Sequence, residues 1–242
     1  MAGAGLPAPP PVTDFVDAEL LDQVPLDVPA LLARLPHADL YLQDEVQVAF
    51  HPTLTRVWCR KGRRGQRLVE APGANDKVYG FGIVDWCTGW VEGRLAAGRT
   101  ADVVCAQVRA AVARSQARGR LAIVLADNLR THTAAGSKLV RALVAELQEQ
   151  LVLVYTPPYD AEANRIEGLW RWTRREVTHN HQRRTFADLQ ADLRHHFQSL
   201  RAQPHAVLRQ LGSPHADAPR LLPPSVRSPL ILAADPPLTL AA

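Results

Sequence analysis

The stretch Leu151–Trp172, LVLVYTPPYDAEANRIEGLWRW, constrains the fold more tightly than any other part of the chain. Leu151–Tyr155 is a β-branched and leucine run that reads as a buried strand. Proline has no amide hydrogen to give a sheet ladder, so the strand must stop at Thr156-Pro157-Pro158. A polar turn follows, and helical spacing begins near Asn164, with Glu167 in the first helical turn. A carboxylate is thereby expected just past the end of a central strand, where α/β sheets commonly place their sites.

The rest of the chain supplies partners for that unit. Asp39–Phe50 alternates as a strand, with Leu40, Leu42 and Asp44 on one face and Tyr41, Gln43 and Glu45 on the other. Val57–Arg60 and Arg67–Ala71 read as short strands around a KGRRG turn, Lys77–Trp86 as a long strand, and Trp90–Leu95 as another after the Thr88-Gly89 turn. Thr100–Arg118 has helical spacing of Val103, Val104, Val108, Ala111 and Val112, with Thr100 as N-cap and Gly119 as terminator. Leu121–Ala126, LAIVLA, is a continuous apolar run and so a central strand, with Asp127-Asn128 at its carboxyl end. Thr133–Gln150 is an amphipathic helix, Asn164–Thr178 a second, and about Thr185 to Leu200 a last. Three antiparallel strands, then helix, strand, helix, strand, helix, define an α/β protein with a mixed sheet. The expected organisation is a disordered start and short linker at 1–36, a folded domain at 37–203 and a Pro-rich tail at 204–242.

Three acids stand at places where such a sheet could gather them. Asp44 lies in a strand, Asp127 at the end of a central strand, and Glu167 in the helix after the next one. Carboxylates brought together repel one another unless a cation neutralises them, and hard divalent ions prefer such oxygens. Each acid also has a purely structural reading. Asp44 could face solvent at a strand end, or its neighbour Glu45 could be the ligand; alternation allows only one of the two. Asp127 could begin a turn with Asn128, which could itself order the loop or contact bound water. Glu167 could close a capping box with Asn164 or pair with Arg171 four residues on. His132 could touch a phosphate or be a locally bonded histidine at a helix start, and Trp170 reads as core.

The words around these acids resemble a known family. Pro157-Pro158-Tyr159 followed by Asn164-Arg165-Ile166-Glu167-x-Leu169-Trp170 is similar to the third catalytic block of DDE transposases of the Tc/mariner superfamily, most closely the bacterial IS-six-thirty group. Leu125-x-Asp127-Asn128-x-x-x-His132 resembles the second block. Trp58 and Gly62, Pro72-Gly73-x-Asn75-x-Lys77 and Asp85-x-x-Thr88-Gly89 resemble the words between the first acid and the second strand's exit. The likeness runs from about Leu40 to Leu200, and its acid pair points to Asp44 over Glu45. It implies a ribonuclease H-like mixed five-stranded sheet flanked by helices. It implies Asp44, Asp127 and Glu167 as catalytic metal ligands for Mg²⁺ or Mn²⁺, two ions in all, and DNA cleavage followed by strand transfer at transposon ends. A plain nuclease of the same fold and a decayed or domesticated DNA-binding fragment are the alternatives.

Charge placement bears on the partner. The net charge of +4 over 242 residues is a weak signal alone. Its clustering says more: Arg56, Arg60, Lys61, Arg63, Arg64 and Arg67 surround the KGRRG turn, and Arg171, Arg174, Arg175, Arg183 and Arg184 follow the third acid. Two such clusters suit a phosphate backbone; the bland reading is a solvated face. Cys59, Cys87 and Cys105 are distant and odd in number, which fits a reducing, cytoplasmic, nucleoid-associated setting. No apolar run approaches a membrane span, and MAGAGLPAPPPV is no signal peptide. The resemblance implies a helix-turn-helix reader ahead of such a domain; that reader needs about three packed helices, and the prolines before Asp44 leave no room for one. The partners the resemblance implies are DNA, an upstream helix-turn-helix chain and a second copy of this chain.

Overall fold

Alternation along the first strand divides the interior into two layers. The computed structural model describes residues 37–62, 68–70, 72–129, 132–147, 149–156 and 164–216. Strand β1 (Ala38–Ala49) sends Leu40, Leu42, Val46 and Val48 into one core and Tyr41 into the other. With β2 (Lys77–Asp85), β3 (Val91–Ala96), β4 (Leu121–Ala126) and β5 (Leu151–Tyr155) it forms a sheet of order β3-β2-β1-β4-β5. Pairing is antiparallel across β1–β2 and β2–β3 and parallel across β1–β4 and β4–β5.

Helices α1 (Ala101–Gln116) and α2 (Lys138–Leu147) cover one face, where Val104, Val108, Val112 and Leu143 meet Tyr41, Phe81, Ile83 and Val124. Helices α3 (Glu167–Thr173), α4 (Phe186–Arg201) and α5 (Pro204–Leu211) cover the other with Leu169, Trp170, Leu193, Phe197, Val207 and Leu211. This is the ribonuclease H-like mixed five-stranded sheet flanked by helices that the resemblance implied. Thr185 caps α4 in a reciprocal capping box with Asp188.

Four sequence expectations need correction. Strand β5 is an edge strand among those described, not a central one. Its apolar run has another cause: Val152 packs into the α3–α5 core and Leu153 into the α1–α2 core, so the edge is covered on both faces. Val57–Arg60 forms no strand, because no neighbouring strand offers it a ladder; Val57 and Trp58 stand exposed, as does Leu68 from the expected Arg67–Ala71 strand. Arg67 and Ala71 themselves lie outside the described residues. Helix α2 starts only at Lys138, after turns through Thr133–Ser137, and the helix after β5 is regular over Glu167–Thr173 before widening into a π turn at Arg174–Thr178.

The fourth correction concerns the tail expected from 204. Residues Pro204–Leu211 are helix α5, opened by Pro204 and closed by Gly212 in the left-handed conformation. So short a helix gains little from intrinsic propensity and is held by packing. The contact is close: a Cβ added to Gly168 would stand 1.9 Å from the carbonyl oxygen of Gln210. The expected start at 1–36 and the remainder of the tail lie outside the described residues. Alanine normally favours a helix over glycine, so the sign of a substitution here separates packing from propensity. Gly168→Ala is expected to lower stability by about 2 kcal/mol or more through overpacking. A urea midpoint equal to or above that of the parent would show that α5 does not seat on α3.

Candidate active site

The parallel register of β1 and β4 determines which acids meet. The last paired residues are Leu42 and Leu125; Asp44 stands two residues further along β1 and Asp127 one residue past the end of β4, close enough for the Asp127 charge to act on Asp44. Asp44 follows the alternation of Leu42 and so belongs to the α3–α5 face. On the other side Asp44 pairs with Gly82, and Gly82 with Gly93. That row of glycines makes room above the sheet: a Cβ on Gly82 would come within 2.5 Å of the Trp170 ring, and one on Gly93 within 2.6 Å of Phe197. Trp170 therefore lies close over β2, and its indole Nε1–H donates to Asp44 Oδ2 at 2.9 Å.

Glu167 comes to the same face through a different device. Asn164 Nδ2 donates to the Gln43 carbonyl at 2.9 Å, which fastens the turn before α3 to β1 one residue from Asp44. Asn164 Oδ1 meanwhile accepts from the Ile166 amide at 3.3 Å. The capping box between Asn164 and Glu167 is absent, and so is the Arg171 ion pair; Glu167 instead meets Arg174 at a loose 3.9 Å. Among the described residues, no three acidic, histidine or cysteine side chains converge closely enough to hold a metal ion as they stand.

Burial pushes the Asp44 carboxyl up to about 7; the Trp170 and backbone hydrogen bonds work against this, and the charges of Glu45 and Asp127 add to it. Burial is the largest single influence on Asp127 and raises it, but the bond and charge of His132, the Leu129 amide and the charge of Arg99 together make the net shift downward. Burial lowers His132, yet its acid partners Asp127 and Glu45 carry it up to about 9. The other acids near the sheet are treated differently. Asp39 holds Arg118 at 2.5 Å and Arg120 at 2.7 Å, and Asp85 has Arg118 at 3.4 Å and Arg114 at 3.9 Å. Asp85 also builds the turn at Thr88-Gly89, its Oδ1 accepting the amides of Cys87 and Thr88.

Glu45 stands on the opposite face from Asp44, as alternation required, with Arg99 at 3.2 Å. His132 is 2% exposed, with Nδ1 on Asp127 and Nε2 against Glu45, so the phosphate contact weighed for it does not fit; a buried ring with both nitrogens engaged cannot reach DNA. Asn128 donates to the Thr156 carbonyl and ties the end of β4 to the end of β5. Trp170 is core, as its spacing indicated, but its bond to Asp44 had no sequence signal. Neither had the Asn164 anchor, since Asn-x-x-Glu reads first as a cap.

The basic residues gather beside this face. Arg60 and Lys61 are exposed in the segment after β1, and Arg63 and Arg64 lie outside the described residues. Arg171 and Arg175 are exposed on α3 and its π turn, and Arg174 is half-buried. The two clusters, distant in sequence, are laced together. Thr53 pairs with His179, and Asn180 both donates to and accepts from the Thr55 backbone at 3.0 Å. Gln182 donates to the Leu68 carbonyl at 2.9 Å.

Comparison with known proteins bears on the family and the fold. The family described as DDE superfamily endonuclease matches residues 39–190. An insertion element IS630 uncharacterized 39 kDa protein from Shigella sonnei is 24% identical over 161 residues, covering 66% of this chain but 45% of its own length. The chain thus spans about half of that relative. Among solved structures, the Mos1 transposase paired-end complex with the left transposon end matches with a TM-score of 0.52 at 14% identity, over 89% of this chain and 66% of that one. The Mos1 mariner paired-end complex with Mn gives 0.51 at 14% identity, over 92% and 68%. At such identities the structures speak for the fold, and the family match for kinship: the chain belongs to the DDE superfamily endonucleases, and it is similar to the IS630 element protein in sequence and to the Mos1 transposase in fold.

Proposed function

We propose that this domain cleaves DNA at transposon ends and transfers the freed strand, with Asp44, Asp127 and Glu167 as the acids of its catalytic centre. One observation carries the reading. The fold surrounds Asp39 and Asp85 with Arg114, Arg118 and Arg120, yet it gives Asp44 no cation among the described residues, only an indole N–H, the Glu45 backbone amide and two neighbouring acids. A half-buried carboxylate left in that state is costly unless a ligand neutralises it.

The donor set suits a hard divalent ion. All three side chains offer carboxylate oxygens, the Asp127 charge acts on Asp44, and Glu167 has a side chain 44% exposed whose one ion pair among the described residues is the 3.9 Å contact to Arg174. Mg²⁺ or Mn²⁺, as one ion or two, would be held by these residues and would supply positive charge at the scissile phosphate. The Mn-containing mariner complex is in keeping with that choice. In the first step water attacks the phosphorus, the bond to the 3′ oxygen breaks, and a 3′-hydroxyl is freed. In the second step that hydroxyl attacks a target phosphodiester, and the target's own 3′ oxygen leaves.

The chain's residues position and exclude. Trp170 fixes one Asp44 oxygen, Asn164 keeps the Glu167 turn on β1, and the surrounding core excludes water from the rear of the site. Arg60, Lys61, Arg171, Arg174 and Arg175 would track the DNA backbone, with Arg63 and Arg64 extending the first cluster. Sequence reading of the ends would fall to an upstream helix-turn-helix chain, and synapsis of two ends to a homodimer.

Three outcomes are expected. Asp44→Asn, Asp127→Asn and Glu167→Gln should each abolish cleavage of labelled terminal DNA, with the triple variant no worse than any single one, because the acids act as a unit. Cleavage retained by Glu167→Gln would remove that residue from the site, and cleavage without joining would reduce the enzyme to a nuclease. The second concerns stability. The folded Asp44 carboxyl titrates near 7, above its ordinary value of 3.8, so its contribution is fully present below about pH 4 and lost as pH rises through 7. Asp44→Asn should therefore raise the melting temperature in chelator by about 2–8 °C at pH 8 and leave it unchanged near pH 4. A fall at pH 8 would contradict the uncompensated charge. The third concerns affinity: this chain alone should bind terminal-repeat and scrambled duplexes alike, weakening steeply with salt. Marked preference for the repeat in a titration at two salt concentrations would reveal a reading module in this chain.

A further inference from the structure

The reverse side of the site contains a chain of contacts that crosses the sheet's end. Arg99 Nε lies 3.2 Å from Glu45 Oε1, and Glu45 Oε2 lies 2.8 Å from His132 Nε2. His132 Nδ1 in turn bonds Asp127 Oδ1. Glu45 is on the α1–α2 face and Asp127 is the residue after β4, so the imidazole links the reverse face of β1 to the end of β4. The His132 backbone is held independently of the acids. Its carbonyl accepts from the Tyr155 hydroxyl at 3.2 Å, and its amide donates to the Leu129 carbonyl at 2.7 Å.

The arrangement treats the two oxygens of Asp127 unequally. Oδ1 accepts both from His132 Nδ1 and from the Leu129 amide at 3.1 Å. Oδ2 accepts no hydrogen bond from the described residues, and the side chain is 42% exposed. A carboxylate gripped by one oxygen loses its rotation about χ2 and presents the other oxygen at a set angle. Partners that orient a ligand in this way typically govern affinity at the centre they support.

We propose that His132 is a positioning residue, held against Glu45, that grips Asp127 by Oδ1 and leaves Oδ2 for the ion. This rests on the reading of Asp127 as a ligand. Glu45 serves by its charge: its contact with Nε2 is close but poorly aligned for a hydrogen bond, so it orients the ring electrostatically. The acid beside Asp44 thus has a role on the far face without entering the metal shell.

The test uses Mn²⁺ binding, followed by the loss of the free-ion electron paramagnetic resonance signal, with no DNA present. In His132→Asn the amide replaces Nδ1 and can still donate to Asp127. In His132→Gln it replaces Nε2 and meets Glu45 instead. His132→Ala and His132→Gln should weaken Mn²⁺ binding about tenfold or more, while His132→Asn stays within about threefold of the parent. Ranking by which nitrogen is replaced is not what simple loss of packing gives, since Gln fills the space better than Asn. Melting in chelator shows which variants fold; should Ala fail, the Asn and Gln pair decides. Binding unaffected in all three, or Asn as weak as Gln, overturns the role of His132. If Asp127→Asn abolishes binding in that case, the metal reading survives alone; a parent protein that binds no Mn²⁺ overturns both.

Discussion

The parallel pairing of β1 with β4 is the interaction on which the rest of the site depends, because it brings the end of β4, where Asp127 follows, alongside the strand that carries Asp44. The pairing is secured by apolar burial on both faces of each strand: Leu40, Leu42, Ile123 and Leu125 on one side, Tyr41, Ala122 and Val124 on the other. A slip of one residue would send every one of these side chains to the wrong layer and would carry Asp44 away with them. The row Gly93–Gly82–Asp44 continues the same logic across β2 and β3, since the missing side chains let Trp170 and Phe197 lie against the sheet. Core packing and acid placement are one arrangement here, and Trp170 takes part in both.

Charge is distributed unevenly around this core. Asp39 and Asp85 belong to a network with Arg114, Arg118, Arg120, Tyr41 and Ser115, which satisfies the buried oxygens from within the protein. Buried ion pairs of this kind add little net stability, but removing one partner is costly. At the other end of the sheet the acids outnumber the cations. His132 and Arg99 serve Glu45 and Asp127, leaving Asp44 with a raised carboxyl pKa. The fold therefore leaves Asp44 without a paired cation among the described residues.

Much of this was legible in the chain. The five strands of the sheet and most helices were, because alternation, continuous apolar runs, helical spacing and the stop at Pro157-Pro158 are local signals that packing then reinforces. The acids Asp44, Asp127 and Glu167 were named from their positions and neighbouring words, and alternation alone put Glu45 on the other face from Asp44. What misled was also local: LVLVY reads as central although β5 is at the edge, since helices cover it on both faces. Pro204–Leu211 was too short to signal a helix, since its stability comes from the seat at Gly168.

The amino-acid sequence by itself determined which segments form strands and helices, which side chains share a face, and which acids are available to a common site. Those properties follow from backbone geometry and side-chain periodicity over a few residues. Only the tertiary structure decided what each polar group touches. Asn164 reaches Gln43 across 121 positions, Trp170 reaches Asp44 across 126, and Asn180 closes on Thr55 across 125. The His132 ring was brought between Asp127 and Glu45 by the loop that leaves β4. Such contacts depend on where whole elements dock, and docking is set by the summed burial of two cores, to which no single motif corresponds.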